Sequence, residues 1–277
     1  MLVAVPIASA IEPATTAAQP APDAQLQAAI DGAWRDRAYV QRDVYRHPGQ
    51  TLAFFGLKPE QTVVEITPGS GWYSEILAPY LRERGQYVAA VVDPQAVPEG
   101  KAREYQQRAR AQLEQKFAAQ PALYDRARLV GYAPDAPVFG PDASADLVLT
   151  FRNVHNWRMA GQADAMFRGF YKVLKPGGVL GVVEHRAKAD VPADVPADDA
   201  SGYVGQAQLI ALAEAAGFAL AGSSEVNANP RDTKDYPGGV WTLPPTNKHD
   251  AVDDAKYRAI GESDRMTLKF VKPANRE

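Results

Sequence analysis

The stretch TVVEITPGSGWYSEILAPYL, residues 62–81, decides the fold. A β-prone run leads into Thr67-Pro68-Gly69-Ser70-Gly71, after which Tyr73, Ile76, Leu77, Tyr80 and Leu81 are spaced to form one apolar stripe on a helix. A strand, a glycine-containing turn and a helix start let a backbone approach a nucleotide and aim free N–H groups at it. Pro79 predicts a short or kinked helix, because proline lacks the N–H of the helical ladder. Alone the turn is a weak signal. Gly69 and Gly71 supply two glycines of a dinucleotide fingerprint, Ser74 stands at the third position, and a tight turn with no ligand also fits.

Glu65 adds a charge to the turn. A carboxylate at the carboxyl end of this strand repels a pyrophosphate and attracts an ammonium or sulfonium group, which selects a cationic adenosyl ligand over a dinucleotide. Asp93 closes the next strand-like run, QYVAAVV, about twenty residues beyond the glycine turn, where an acid accepts hydrogen bonds from both ribose hydroxyls.

Around this unit the chain alternates strand-like and helical runs. TVVEI, QYVAAVV, ARLVGY, DLVLTF and VLGVVEH read as strands, the pattern of a parallel α/β sheet, and RMTLKFVKP supplies a final strand. Residues 101–119 are rich in strong helix formers, 163–174 lead into the Lys175-Pro176-Gly177-Gly178 turn, and 206–216 end at Gly217. Upstream, 26–44 reads as one helix carrying Ile30, Trp34, Val40 and Val44, stopped at Arg46-His47-Pro48-Gly49. Residues 227–250 have dense turn chemistry and little periodicity, the mark of a long ordered loop.

Composition bounds the function. The 277 residues, 46% hydrophobic and 23% charged, suit one domain with extensions, organised as a leader (1–24), a helical cap (25–58) and a main domain (59–277). A net charge of −3 with scattered Lys and Arg gives no basic field for nucleic acid, and no run is long enough to span a membrane. Cysteine is absent, which removes thiolate chemistry and Cys-ligated zinc; the four histidines show no HxxxH or HxH spacing, so no metal is expected. The opening MLVAVPIASA closes on a small-x-small pattern and is followed by an Ala/Pro/Thr-rich spacer, which predicts export to the periplasm, a cytoplasmic location being the alternative.

With these pieces in place the chain resembles the class I S-adenosylmethionine-dependent methyltransferases. VVEITPGSGW is similar to the family's first motif, VVDP to its acidic second-strand end, DLVLTFRNVHNW to its fourth-strand motif and VLKPGGVLGVVEH to its fifth strand, in order over 62–185. The resemblance implies a Rossmann-like α/β fold: a mostly parallel seven-stranded sheet with an antiparallel final strand and helices on both faces. It implies S-adenosyl-L-methionine as cofactor and methyl transfer but assigns no substrate; the acceptor expected here is a small molecule. Glu65, Thr67, Pro68, Gly69 and Gly71 then surround the methionine part, Asp93 takes the ribose, Pro134 and Asp135 lie near the adenine, and Phe151, Arg152 and Asn153 floor the pocket. Thr67 stands where the family has its first glycine, and a Cβ there narrows the backbone approach. The alternative is an exported binding protein that keeps the fold without the chemistry.

His155 and His185 fall just past the fourth and fifth strands, at the carboxyl edge where α/β sites gather, and either can take a proton from an acceptor; each also reads as a structural histidine. Glu184 with Arg186 reads as a local ion pair or an anchor for a charged substrate, His249 as solvated, and 231–235 as a charge-balanced surface or a substrate lid. Trp72, Trp157 and Trp241 with Tyr73 and Tyr236 are candidates for an aromatic wall or for core.

Overall fold

A computed structural model of the protein describes residues 21–188 and 199–274; the leader-like run 1–10 lies outside them. β1 (Thr62–Ile66) is flanked in parallel by β2 (Gln86–Val92) and β4 (Ala145–Phe151), with Val64 opposite both Val88 and Val148. β3 (Arg128–Tyr132) extends the sheet beyond β2, and β5 (Leu174–His185) pairs in parallel with β4. β7 (Arg265–Val271) then runs antiparallel to both β5 and β6 (Ala219–Ser224). The order β3-β2-β1-β4-β5-β7-β6 makes the expected sheet: seven strands, only the last reversed. Its direction of winding changes between β1 and β4, the place where open α/β sheets leave a crevice at their carboxyl ends.

Both faces of the sheet are covered, which is why the central strands read as continuous apolar runs. One face packs Val63, Leu147, Leu149 and Val183 under α1 (Ala24–Ile30), α4 (Pro48–Phe55), α5 (Ser74–Leu81), α6 (Lys101–Ala119) and α7 (Pro121–Tyr124). The other packs Val64, Ile66, Val148 and Val182 under α8 (Val154–Met159), α9 (Ala163–Val173) and α10 (Gln206–Ala215). Met166, Phe167, Phe170 and Val173 form the α9 stripe.

The N-terminal segment departs from the single helix expected. It breaks into α1, α2 (Arg37–Val40) and α3 (Asp43–Arg46), and Pro48 starts α4 as its first residue while His47 takes a left-handed φ of 41° between the two. Gly32 is pinned by the Trp34 ring, which occupies the space of any Cβ there, so the chain turns instead of continuing as helix. Val40 and Val44, which the expected helix carries, are 42% and 68% exposed. The segment is nonetheless core: a Cβ on Gly181 would come within 2.7 Å of the Phe55 ring, so α4 sits directly on β5.

Because α1 covers its outer flank, α5 is buried on nearly every side, beyond the single stripe its spacing predicts. Pro79 inside it removes the N–H that would meet the Glu75 carbonyl, and the Trp34 indole N–H supplies the replacement. Residues 227–250 form the ordered loop expected, with a 3-10 turn at Gly239–Thr242, and α11 (Asp254–Ile260) follows. Among the described residues no helix is long and apolar enough to cross a membrane.

Candidate active site

The crevice between β1 and β4 is built on the 67–71 turn. Gly69 has φ 61° and nothing within 4 Å of where a Cβ would stand, so its backbone faces open space; a Cβ on Gly71, φ 83°, would press on Leu113 and Ser74. One glycine therefore opens the crevice and the other lets α6 pack. Thr67 adopts φ 50°, costly for a β-branched residue, and is held by its hydroxyl against the Tyr132 hydroxyl at 2.8 Å and by its N–H to Ala90. Pro68 completes the turn by accepting from the Gly71 N–H.

Glu65 is buried, and its Oε2 accepts from the Tyr87 hydroxyl at 2.6 Å and from Ser74 at 3.4 Å. Burial pushes its carboxyl up to about 7 against those bonds. This corrects the reading in which a full negative charge meets the ligand directly: near neutral pH the carboxyl is partly protonated and engaged by protein. Ser74, the departure from the dinucleotide fingerprint, is one of its anchors.

Asp93 stands at the end of β2, half-buried, with Oδ1 accepting from the Gln95 N–H at 2.9 Å. Pro134 is buried just past β3; Asp135 is exposed and accepts from Gln162. Phe151 stacks on Tyr73 at 3.6 Å between centroids, and Asn153 bridges the crevice floor by donating to the Ile66 carbonyl and Thr150 hydroxyl. The expected residues 65–71, 93 and 151–153 thus converge on the strand ends.

At the neighbouring edge His155 and His185 are brought together, ring centroids 5.4 Å apart. Glu184, fully buried, accepts from the Val154 and His185 N–H groups and lies 3.0 Å from His155 Nδ1. From β5 its carboxylate meets the first N–H groups of α8, which corrects the expected pair with Arg186; that arginine instead holds Glu225 and Asp264. His185 Nδ1 lies 2.6 Å from the Ser263 hydroxyl, and burial followed by the positive charges around it holds the ring well below its usual 6.5. Ligand atoms of His155, Glu184 and His185 fall within 4.8 Å of one another, a grouping invisible in the sequence spacing. Three guanidinium groups on the same cavity oppose a divalent cation there.

Those guanidiniums are Arg42, Arg46 and Arg152, lining a cavity of about 260 Å³ with both histidines, Trp241 and Glu262. Glu262 is buried, 2.6 Å from Arg42, 3.5 Å from Arg46 and 3.1 Å from Arg265. Burial alone would raise its carboxyl, but Arg265, Arg46, Arg42 and Arg152 draw it down to about 2.

No protein-family model and no curated protein matches the sequence. Solved structures do match in shape. A SAM-dependent methyltransferase from Aquifex aeolicus aligns over 84% of this chain and 93% of its own at TM-score 0.54 and 15% identity. The [4+2]-cyclase SpnF aligns over 92% and 98% at TM-score 0.55 and 17% identity. The StiE O-MT, residues 961–1257, aligns over 91% and 82% at TM-score 0.53 and 15% identity. The chain has the class I methyltransferase fold.

On that fold the glycine turn, both histidines and Arg152 were named from the sequence, while the rest of the arginine cavity was not. Arg42 and Glu262 are 220 residues apart, and no local signal joins them. The aromatic wall does not form as one surface: Trp72 lies under Arg35 and Arg46, Trp157 is core, Tyr236 faces Tyr257, and only Trp241 lines the cavity. His249, expected in solvent, packs on Tyr257 at 4.9 Å. Asp232, read as surface, is buried and accepts from Tyr203 and the Asp264 N–H.

Proposed function

We propose that the protein transfers a methyl group from S-adenosylmethionine to a small-molecule acceptor held beside His155 and His185. The observation that carries this is the open backbone at Gly69, on the turn at the switch point, with Asp93 at the end of the adjoining strand. Bound there, the cofactor supplies an electrophilic methyl group on a cationic sulfur. The backbone of 67–71 holds its methionine part, Asp93 its ribose, Pro134 and Asp135 its adenine edge, and Phe151 and Asn153 the floor, while Arg152 lines the neighbouring cavity. Asp93 has a second oxygen for a ribose hydroxyl besides the one on Gln95.

The chain's own contribution to the chemistry is orientation and a proton acceptor. In the tautomer in which His185 Nδ1 donates to Ser263, Nε2 carries the lone pair, and burial keeps the ring neutral at physiological pH. Glu184 fixes the His155 ring through Nδ1. The fold alone does not choose the reaction, since one similar structure is named a cyclase. Calorimetry with S-adenosylmethionine and S-adenosylhomocysteine tests the reading: binding at micromolar concentration is expected, and no heat at millimolar ligand refutes it. Labelled-methyl transfer into a small-molecule extract then separates an enzyme from a binder.

A further inference from the structure

The cavity beside the histidines holds more positive charge than its own residues neutralise. Glu262 is the carboxylate shared by Arg42, Arg46 and Arg265. Arg152, directed from the end of β4 by a left-handed φ of 60°, lines the same cavity, and its side chain makes no hydrogen bond or ion pair with any described residue. Arg46 is buried, and its Nε faces the already shared Glu262 at 3.5 Å without making a hydrogen bond. A half-buried guanidinium with no carboxylate of its own, as at Arg152, is stabilised by an anion bound beside it.

The rest of the lining is of a different kind. Val240, Trp241, Pro244 and Pro245, from the long loop, give the cavity an apolar surface next to its cationic one. Its volume of about 260 Å³ limits the occupant to a small molecule. A planar guanidinium matches a carboxylate in a two-pronged contact, and an indole suits a flat apolar body.

We propose that this cavity is the acceptor subsite and that it takes a small organic acid, its carboxylate on Arg152 and its apolar body against Trp241. The proposal names the substrate class for the methyl transfer inferred above and rests on that reading for the word acceptor; the anion site itself does not. Arg42 and Arg46, already leaning on Glu262, supply the surrounding field, and the acid adds a second carboxylate that lessens the excess of positive charge.

The test is calorimetry on the full chain, with and without S-adenosylhomocysteine, using 4-hydroxybenzoate, 4-hydroxybenzamide and phenyl phosphate as probes. The acid is expected to bind at least tenfold tighter than its amide, and Arg152→Gln to erase that difference. Equal binding of acid and amide overturns the proposal, as does an Arg152→Gln protein, folded by circular dichroism, that still discriminates. Phenyl phosphate binding without 4-hydroxybenzoate binding overturns the choice of carboxylate. Should Arg152→Gln fail to fold, the acid–amide comparison on the unaltered protein still decides. Acid binding without S-adenosylmethionine binding sinks the methyl-transfer reading and leaves this one standing; the reverse result does the opposite.

Discussion

The indole N–H of Trp34 donates to the carbonyl oxygen of Glu75 at 2.9 Å, the acceptor that Pro79 leaves without its helical partner. The residue that weakens α5 is thus compensated from outside the helix. Trp34→Phe is expected to lower stability by about 1–3 kcal/mol, because a buried carbonyl loses its donor. Pro79→Ala restores an N–H, so in the Trp34→Phe background it should recover part of that loss. Urea unfolding of the two single variants and the double variant measures the coupling; strictly additive effects would show that the two residues are unrelated.

Gly69 and Thr67 make opposite predictions about the crevice. At Gly69→Ala the new Cβ meets no protein atom and costs about 1 kcal/mol of backbone strain, yet it projects from the turn that faces the ligand. Affinity for S-adenosylmethionine is expected to drop at least tenfold with little change in melting temperature. Thr67→Gly relieves about 1–3 kcal/mol of strain and loses one hydroxyl bond of about 1 kcal/mol, so stability changes little while cofactor affinity rises. Unchanged binding in both variants would move the cofactor away from this turn.

The pH dependence of stability carries two carboxyls of opposite sign. Glu65 is raised from 4.5 to about 7 in the folded chain. The native state holds the extra proton, so its contribution is complete below 4.5 and is lost as pH rises through about 7. That shift corresponds to roughly 3 kcal/mol, at about 1.4 kcal/mol per pH unit. Glu262, lowered from 4.5 to about 2, contributes above 4.5 and loses that contribution as pH falls toward 2. Unfolding free energies from pH 3 to 8 should therefore show Glu65→Gln flattening the neutral limb and Glu262→Gln flattening the acid limb, the latter from a lower maximum. Parallel profiles for the two variants would contradict both assignments.

His185 is expected to act as the proton acceptor. His185→Gln should lower turnover by about 10² or more on an acceptor that must lose a proton, with a smaller effect on cofactor binding. Since its ring sits well below 6.5, the wild-type rate should not fall through protonation of this group as pH drops from about 7.5 to about 6.5. A loss of rate centred near 6.5 that vanishes in His185→Gln would show the ring to be an ordinary surface-like base.

What could be read from the chain followed the range of each interaction. α6 was legible because its helix-forming residues run without interruption, and β1 because both its faces are buried. β6 was not singled out: its ALAGSS lacks β-branched residues, and on the sheet edge its side chains are mostly exposed, so nothing selects an alternating pattern. The N-terminal helices were merged because Gly32 and His47 act through conformations that neighbouring residues do not announce. Glu65 was visible as a charge, but Tyr87, its main partner, comes from the adjacent strand. The arginine cavity lay furthest from view, since Arg42, Arg152 and Glu262 meet only when the whole sheet is assembled.

The seating of Phe55 against Gly181, joined by Arg265 donating to the Tyr45 carbonyl, has a consequence for biogenesis. α4 (Pro48–Phe55) leaves the ribosome well before β5 (Leu174–His185) and β7 (Arg265–Val271), on which it docks. The docking of α4 therefore lags its own synthesis, and its apolar side waits exposed until β5 and β7 arrive.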